Sequence, residues 1–272
     1  MINIEKLTFS YPGTKHNVFD GLELTFGENR IYGLLGKNGM GKSTLLYLIA
    51  GLLRPKSGSV IVDGNASAER LPETLSEIYL VPEEYDMPKM SLDGFIKIHR
   101  EFYPHFNEEV LRQCLADFEM PQDIDLSALS MGQKKKVYMS FALAAGTRIL
   151  LMDEPTNGLD IPSKALFRKV VARNMGENTT LIISTHQVHD VESLLDSIVI
   201  IDSSRILLNA DVADITNKYC FTLRQPGDMD GVLYSEPSFQ GNASISLRKN
   251  GEAETQMNLE LLFNAATSGK LM

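Results

Sequence analysis

The chain has 272 residues, with 26 lysines and arginines against 35 aspartates and glutamates, so it is long enough to bury a full core and carries a formal net charge of -9. That balance supplies no global field to gather a polyanion and argues against nucleic acid as the main ligand. Cys114 and Cys220 lie far apart outside any CxxC spacing, which argues against a disulfide framework or a zinc site, and neither a secretion leader nor a run of about 18 apolar residues is present, so a cytoplasmic chain is expected.

In chain order, "NIEKLTFSY" and "FDGLELTFGEN" alternate apolar and polar residues as half-exposed antiparallel strands do, with a turn at Pro12 and Gly13. "RIYGLLG" reads as a buried strand, and "KSTLLYLIAGLL" as a helix presenting Leu45, Leu46, Leu48, Ile49 and Leu52 on one face. Short strands follow in "SGSVIVDG" and in "IYLVPEEY", the latter stopped by Pro82. From about Met90 to Phe118 the pattern is helical, through "SLDGFIKIHREFY" and "NEEVLRQCLADFEM". "LSMGQKKKVYMSFALA" then opens a further helix at a Ser-x-Gly-Gln turn, with Lys134, Lys135 and Lys136 expected on its solvated face.

The core resumes with a strand in "RILLMDEP", a helix around "IPSKALFRKVVARN", a strand in "TTLIISTH", a helix around "VHDVESLLD" and strands in "SIVIIDSSRILLN". Such alternation predicts an α/β fold with a mostly parallel sheet covered on both faces. Beyond about Ile215, "CFTLRQ", "GVLYSE" and "ASISLRKNG" alternate like surface strands and "NLELLFNAATS" closes as a short helix, which reads as a small accessory subdomain.

The chemistry concentrates in three places. "GKNGMGKS", Gly36 to Ser43, fits G-x-x-x-x-G-K-[ST] between a buried strand and a helix. Gly36, Gly39 and Gly41 let backbone N–H groups converge on phosphate oxygens at a helix N-terminus, and Asn38 and Thr44 belong to the same nucleotide-binding segment. Lys42 is expected on the β- and γ-phosphates and Ser43 on Mg²⁺. Asp153 ends a buried strand where open α/β sheets bind ligands and is a candidate for the Mg²⁺ shell, while Glu154 beside it is either the general base for an attacking water or a solvated turn carboxylate. His186 follows "LIIST" at another strand end, within reach of a γ-phosphate, whereas His189 has no such placement.

The P-loop, "LSMGQ", "LLMDEP", "NGLD" and "STH", in this order, make residues 1–215 resemble the ATP-binding-cassette ATPases, most closely the ATP-binding subunits of ABC-2-type exporters. The resemblance implies a P-loop cassette at 1–215 with an N-terminal antiparallel β subdomain, a helical subdomain at about 84–145, and an α+β appendage at 216–272. It implies ATP and Mg²⁺ as ligands and a second cassette as partner, with two identical chains the expected form. The turn of Ser130, Gly132 and Gln133 would then close over the γ-phosphate held by the other chain. It further implies that Tyr11 in "FSYPG" stacks on adenine and that Asp160 in "NGLD" connects the two sites. A separate integral membrane permease, engaged through the helical subdomain, would hold the chain on the inner face of the cell membrane. A soluble cassette serving cytosolic assembly is the alternative.

Three positions depart from the family pattern: Glu83 stands where glutamine is usual and is expected to retain a metal-facing role, Met131 replaces a signature glycine, and Met40 an alanine of the P-loop.

Overall fold

The computed structural model describes residues 1–249 and 251–271; Asn250, within "ASISLRKNG", and Met272 lie outside the described residues. Strand β1 (Ile2–Phe9) pairs antiparallel with β2 (Phe19–Phe26), Ile2 opposite Phe26 and Phe9 opposite Phe19. Strand β3 (Ile31–Leu35) is buried throughout and leads through the loop 36–41 into helix α1 (Lys42–Ile49). Strand β4 (Ser57–Val62) takes the other edge of β1 and carries the two-residue β5 (Asn65–Ala66), completing a four-stranded antiparallel sheet in the order β2-β1-β4-β5.

After the short α2 (Pro72–Leu75) and strand β6 (Ile78–Val81) comes a helical insertion: α3 (Leu92–His99), α4 (Glu108–Asp117) and α5 (Met131–Ala144). The core then alternates β7 (Ile149–Asp153), α6 (Ile161–Asn174), β8 (Thr180–Thr185), β9 (Ser197–Asp202) and β10 (Arg205–Asp211). The central sheet runs β10-β9-β3-β8-β7-β6, parallel except for the antiparallel edge strand β10. Its strands β3, β7 and β8 are apolar runs because both faces are covered. One face packs on the antiparallel sheet and α1 through Phe19, Phe26, Leu45 and Leu46; the other packs on the insertion and α6 through Phe141 and Phe167. Each such side chain contributes about 1.5–3 kcal/mol relative to exposure, so the sheet is held rigidly from both sides.

The chain closes with α7 (Val212–Lys218), β11 (Tyr219–Arg224), β12 (Val232–Ser238), β13 (Gly241–Leu247) and α8 (Leu259–Thr267), the three strands forming a separate antiparallel sheet. Ile215 lies inside α7, and Leu259 and Leu262 of α8 are fully buried in the same apolar cluster as Phe167. The tail is therefore built onto the core rather than hung from it.

Two expectations are corrected. The helix after the P-loop stops at Ile49, Gly51 turns left-handed (φ 68°), and Leu52 is 55% exposed instead of sharing the buried face. "VHDVESLLD" forms two 3-10 turns, Val188–Asp190 and Glu192–Leu194, not a helix. Its polar groups are taken by distant elements: Arg168 donates to the Asp190 carbonyl at 3.3 Å, and Glu192 Oε1 accepts from the Leu259 N–H at 2.8 Å. Tertiary bonds override helical periodicity there.

Candidate nucleotide and hydrolysis site

Strands β3, β7 and β8 are parallel and end at one edge of the sheet, so Gly36, Asp153 and His186 arrive together. Gly41 is the N-cap of α1 at φ 93°; no side chain caps the helix and its first turn holds no acidic residue. The first N–H groups are left for an external acceptor. A Cβ on Gly41 would lie 2.7 Å from Phe19 Cζ and 2.8 Å from Val18 Cγ1, so only glycine fits. Lys37, Asn38 and Gly39 form the exposed crest of the loop.

Lys42 is buried, its Nζ donating to the Gly36 carbonyl at 2.8 Å and standing 3.7 Å from Glu154 Oε1. Burial lowers its pKa, opposed by the charges of Glu154 and Asp153. The Tyr11 and Thr44 hydroxyls are 3.0 Å apart, and the Tyr11 ring stands edge-on to Phe9 while remaining exposed.

Asp153 is buried at the end of β7, where its Oδ1 accepts from the Ser184 hydroxyl, with the Ser43 hydroxyl beside it. Burial pushes its pKa up, the two hydroxyls pull it down, and neighbouring Glu154 and Glu83 add to the rise. Asp153 Oδ2 is buried and, among the described residues, has no hydrogen-bond partner. An unpartnered carboxylate oxygen beside a serine hydroxyl suits a hard divalent cation that takes few protein ligands and completes its shell with phosphate and water. The residues present fit Mg²⁺.

Glu154 adopts a left-handed backbone, φ 44°. Its Oε2 accepts from the Thr185 hydroxyl at 3.1 Å and the His186 N–H at 3.4 Å, and its Oε1 lies 2.8 Å from His186 Nδ1. An ionised Glu154 accepts from Nδ1–H, which leaves His186 Nε2 for a ligand. Of the two readings of Glu154, the solvated turn carboxylate is excluded by its burial. His189 stands away from this cluster and pairs with Glu260 of α8 at 2.8 Å.

The start of α5 is built differently. Ser130 Oγ accepts from the Gln133 N–H at 3.3 Å and Gln133 Oε1 accepts from the Ser130 N–H at 3.0 Å, a reciprocal capping box. Met131 is 76% exposed at this tip, and Gly132 lies near Leu159. Among the described residues, no hydrogen bond joins Ser130 or Gln133 to the loop 36–43. Asp160 caps α6, accepting from the Ser163 N–H at 2.9 Å. Met40 packs within 3.4 Å of the Ser203 N–H through its sulfur.

Sequence reasoning misses two residues here. Asn157 donates from Nδ2 to Glu83 Oε1 at 2.8 Å, fixing the acidic residue that replaces glutamine. Lys135, expected in solvent, is 6% exposed, and its Nζ donates to the Asn157 carbonyl at 2.6 Å and the Glu154 carbonyl at 3.2 Å. Lys134 and Lys136 are half-buried, the latter donating to the Phe118 carbonyl at 3.4 Å, so none of the three forms a solvated face. The signal was spacing: Lys135 precedes buried Met139 by four positions and Ala142 by seven, on the core side of the helix.

A family profile described as ABC transporter matches residues 19–157. The chain belongs to the ABC transporter family. The cassette is 30% identical over 227 residues to a methionine import ATP-binding protein of Carboxydothermus hydrogenoformans, covering 79% of this chain and 67% of the relative. It is 26% identical over 227 residues to a lipopolysaccharide export system ATP-binding protein of Haemophilus influenzae, covering 80% and 93%. A solved dimeric post-hydrolysis ATP-binding cassette bound to ADP and Pi shares the fold, with a TM-score of 0.68 and 20% identity over 78% of this chain and 99% of that one. The cassette is an ATPase of the kind whose hydrolysis is coupled to transport, and ATP is its nucleotide. No helix among the described residues is long and apolar enough to cross a membrane.

Proposed function

We propose that this cassette works as one of a head-to-tail pair, two copies of this chain, that drives a separate membrane permease in the direction of export. The observation that carries the reading is the meeting of Lys42, Asp153, Glu154 and His186 beside an uncapped helix start, with the capped start of α5 standing apart from it. A γ-phosphate bound at α1 keeps oxygens facing outward, and a second helix start is a fitting acceptor for them.

In this reading Gly36, Asn38, Gly39, Gly41, Ser43 and Thr44 cradle the phosphates, and Lys42 neutralises the β- and γ-oxygens. Tyr11 covers the adenine. Ser43, Asp153 and Glu83 would hold Mg²⁺, which when bound would offset phosphate charge; Asn157 fixes Glu83 through its Oε1. Glu154 takes the proton of a water whose oxygen attacks the γ-phosphorus, and the bond to the β-bridging oxygen breaks to release ADP and phosphate. His186 contacts the γ-phosphate through Nε2 and keeps Glu154 oriented through Nδ1. Ser130, Gly132 and Gln133 meet the γ-phosphate of the partner, and Asp160 links the two sites at the start of α6.

Residues 1–215 act as the motor, with the helical subdomain at about 84–145 as its coupling element and 216–272 as an accessory unit. A cavity of about 490 Å³, lined by Tyr47, Leu52, Tyr79, Leu80, Tyr103 and Tyr138, lies between the core and the helical insertion. Its aromatic walls and the exposed Leu52 suit an amphipathic helix of a permease, which would keep the cassette on the inner membrane face. The test is affinity purification of the tagged chain from gently solubilised membranes of its own cells. A polytopic membrane protein in stoichiometric amount is expected. Purely soluble partners would favour the cytosolic-assembly alternative, and a copurifying solute-binding protein would contradict export.

A further inference from the structure

We propose that Lys135 is a positioning residue for ATP hydrolysis, tying the signature helix α5 to the turn that carries Glu154 in the same chain. The inference rests on Glu154 acting as the general base.

Lys135 is a buried cation whose hydrogen bonds go to backbone carbonyls, of Glu154 and Asn157, rather than to a carboxylate. Placing an ammonium there carries a desolvation cost, and the surrounding acidic groups, Glu83 first and then Glu154 and Asp153, offset it. What the lysine holds is a turn that needs holding. Glu154 is a non-glycine residue in the left-handed region, a conformation that persists only where neighbours over-determine it. The Glu154 N–H is fixed by the Ser184 carbonyl at 3.0 Å, and its carbonyl is fixed by Lys135 at 3.2 Å. The carboxylate direction follows from that backbone.

The same ammonium acts on a second residue, Glu83, through Asn157. It anchors the Asn157 carbonyl, and the Asn157 side chain holds Glu83. One donor on α5 thereby sets both the proposed base and the acidic residue in the glutamine position. Lys135 follows Ser130 by five residues, about 7.5 Å along the helix axis, so a shift of α5 at its tip is carried directly to Glu154.

The test compares Lys135→Met, Lys135→Leu, Lys135→Arg and Glu154→Gln in the full chain, by steady-state ATPase kinetics, equilibrium binding of a fluorescent ATP analogue and thermal melting. Lys135→Met or Lys135→Leu, whichever melts like the wild type, is expected to lower kcat at least about tenfold with KM and nucleotide affinity within about twofold, because the ligand-binding loop is untouched. Lys135→Arg, which restores donors and charge, is expected to recover most of that loss. Wild-type kcat in both truncations while Glu154→Gln is inactive overturns the role of Lys135 alone. Parallel loss of kcat, affinity and melting temperature in both, without rescue by arginine, also overturns it, in favour of a merely structural lysine. Wild-type turnover in Glu154→Gln would instead remove the base reading on which the inference rests.

Discussion

Helices α1 and α5 are both assigned phosphate contacts at their N-termini, α1 within its own chain and α5 toward a partner, yet they begin in opposite ways. At α1 a left-handed glycine, Gly41, leaves the first N–H groups without a cap and keeps acidic residues out of the first turn. At α5 the Ser130–Gln133 box satisfies its own donors. An uncapped start over a buried lysine is suited to an anion, so the proposed reading gives nucleotide binding to the single chain. A capped start is complete alone, and in the proposed pair its serine would exchange an internal bond worth about 1 kcal/mol for one to phosphate. The contact at α5 is thus conditional and weak in isolation, which suits a pair that closes and reopens with each turnover.

The sharpest way to break this contrast is to close α1. Gly41→Ala places a Cβ against Phe19 and Val18 at φ 93°, and is expected to cost about 1–3 kcal/mol in denaturant unfolding and to abolish measurable ATP binding. Gly39→Ala has open space but the same left-handed strain, φ 82°, so a smaller loss of affinity is expected in the same titration.

The acid beside α1 gives a second, pH-resolved effect. Burial holds the Asp153 pKa above its ordinary value, so the folded chain binds this proton more tightly than the unfolded chain does. Stability is therefore lost as pH rises from the unfolded value through the raised folded one. Asp153→Asn, which carries no charge, is expected to be more stable than the wild type by about 1 kcal/mol in metal-free buffer at neutral pH, with the gap vanishing toward acid. Urea unfolding at about pH 4 and about pH 7 checks this, and the variant should lose ATP turnover.

Opening α5 should do less to the fold. Ser130→Ala removes the cap and is expected to cost about 1 kcal/mol, with single-chain ATP affinity unchanged and turnover reduced. Gln133→Ala should cost only a few tenths of a kcal/mol in the same unfolding assay, since the serine bond survives. If Ser130→Ala weakened ATP binding to dilute single chains, the division of labour between the two helix starts would be wrong.

How much of this is legible in the sequence follows from locality. Gly36 to Ser43 is one contiguous stretch between a strand and a helix, so the phosphate cradle proposed there can be read directly, as can the strand ends that deliver Asp153 and His186. The Ser130–Gln133 box spans four residues and is equally local. Lys135 is different: its partners lie 19 and 22 residues away, and only its register with Met139 betrays that it faces inward. The turns at 188–194 escape periodicity because Glu192 is bonded to α8, 67 residues further on, and His189 to Glu260, 71 residues on. Glu83 is legible as a departure, but its partner Asn157 is set by the packing of two loops 74 residues apart.

The most direct test of the paired-cassette account is the mass of the Glu154→Gln variant in solution by light scattering, with and without saturating ATP and Mg²⁺. Removing the base leaves both helix starts intact, so ATP should convert single chains into a stable dimer, and adding Ser130→Arg should prevent it. A Glu154→Gln chain that binds ATP fully yet remains monomeric would contradict the claim that α5 of one cassette completes the site of another.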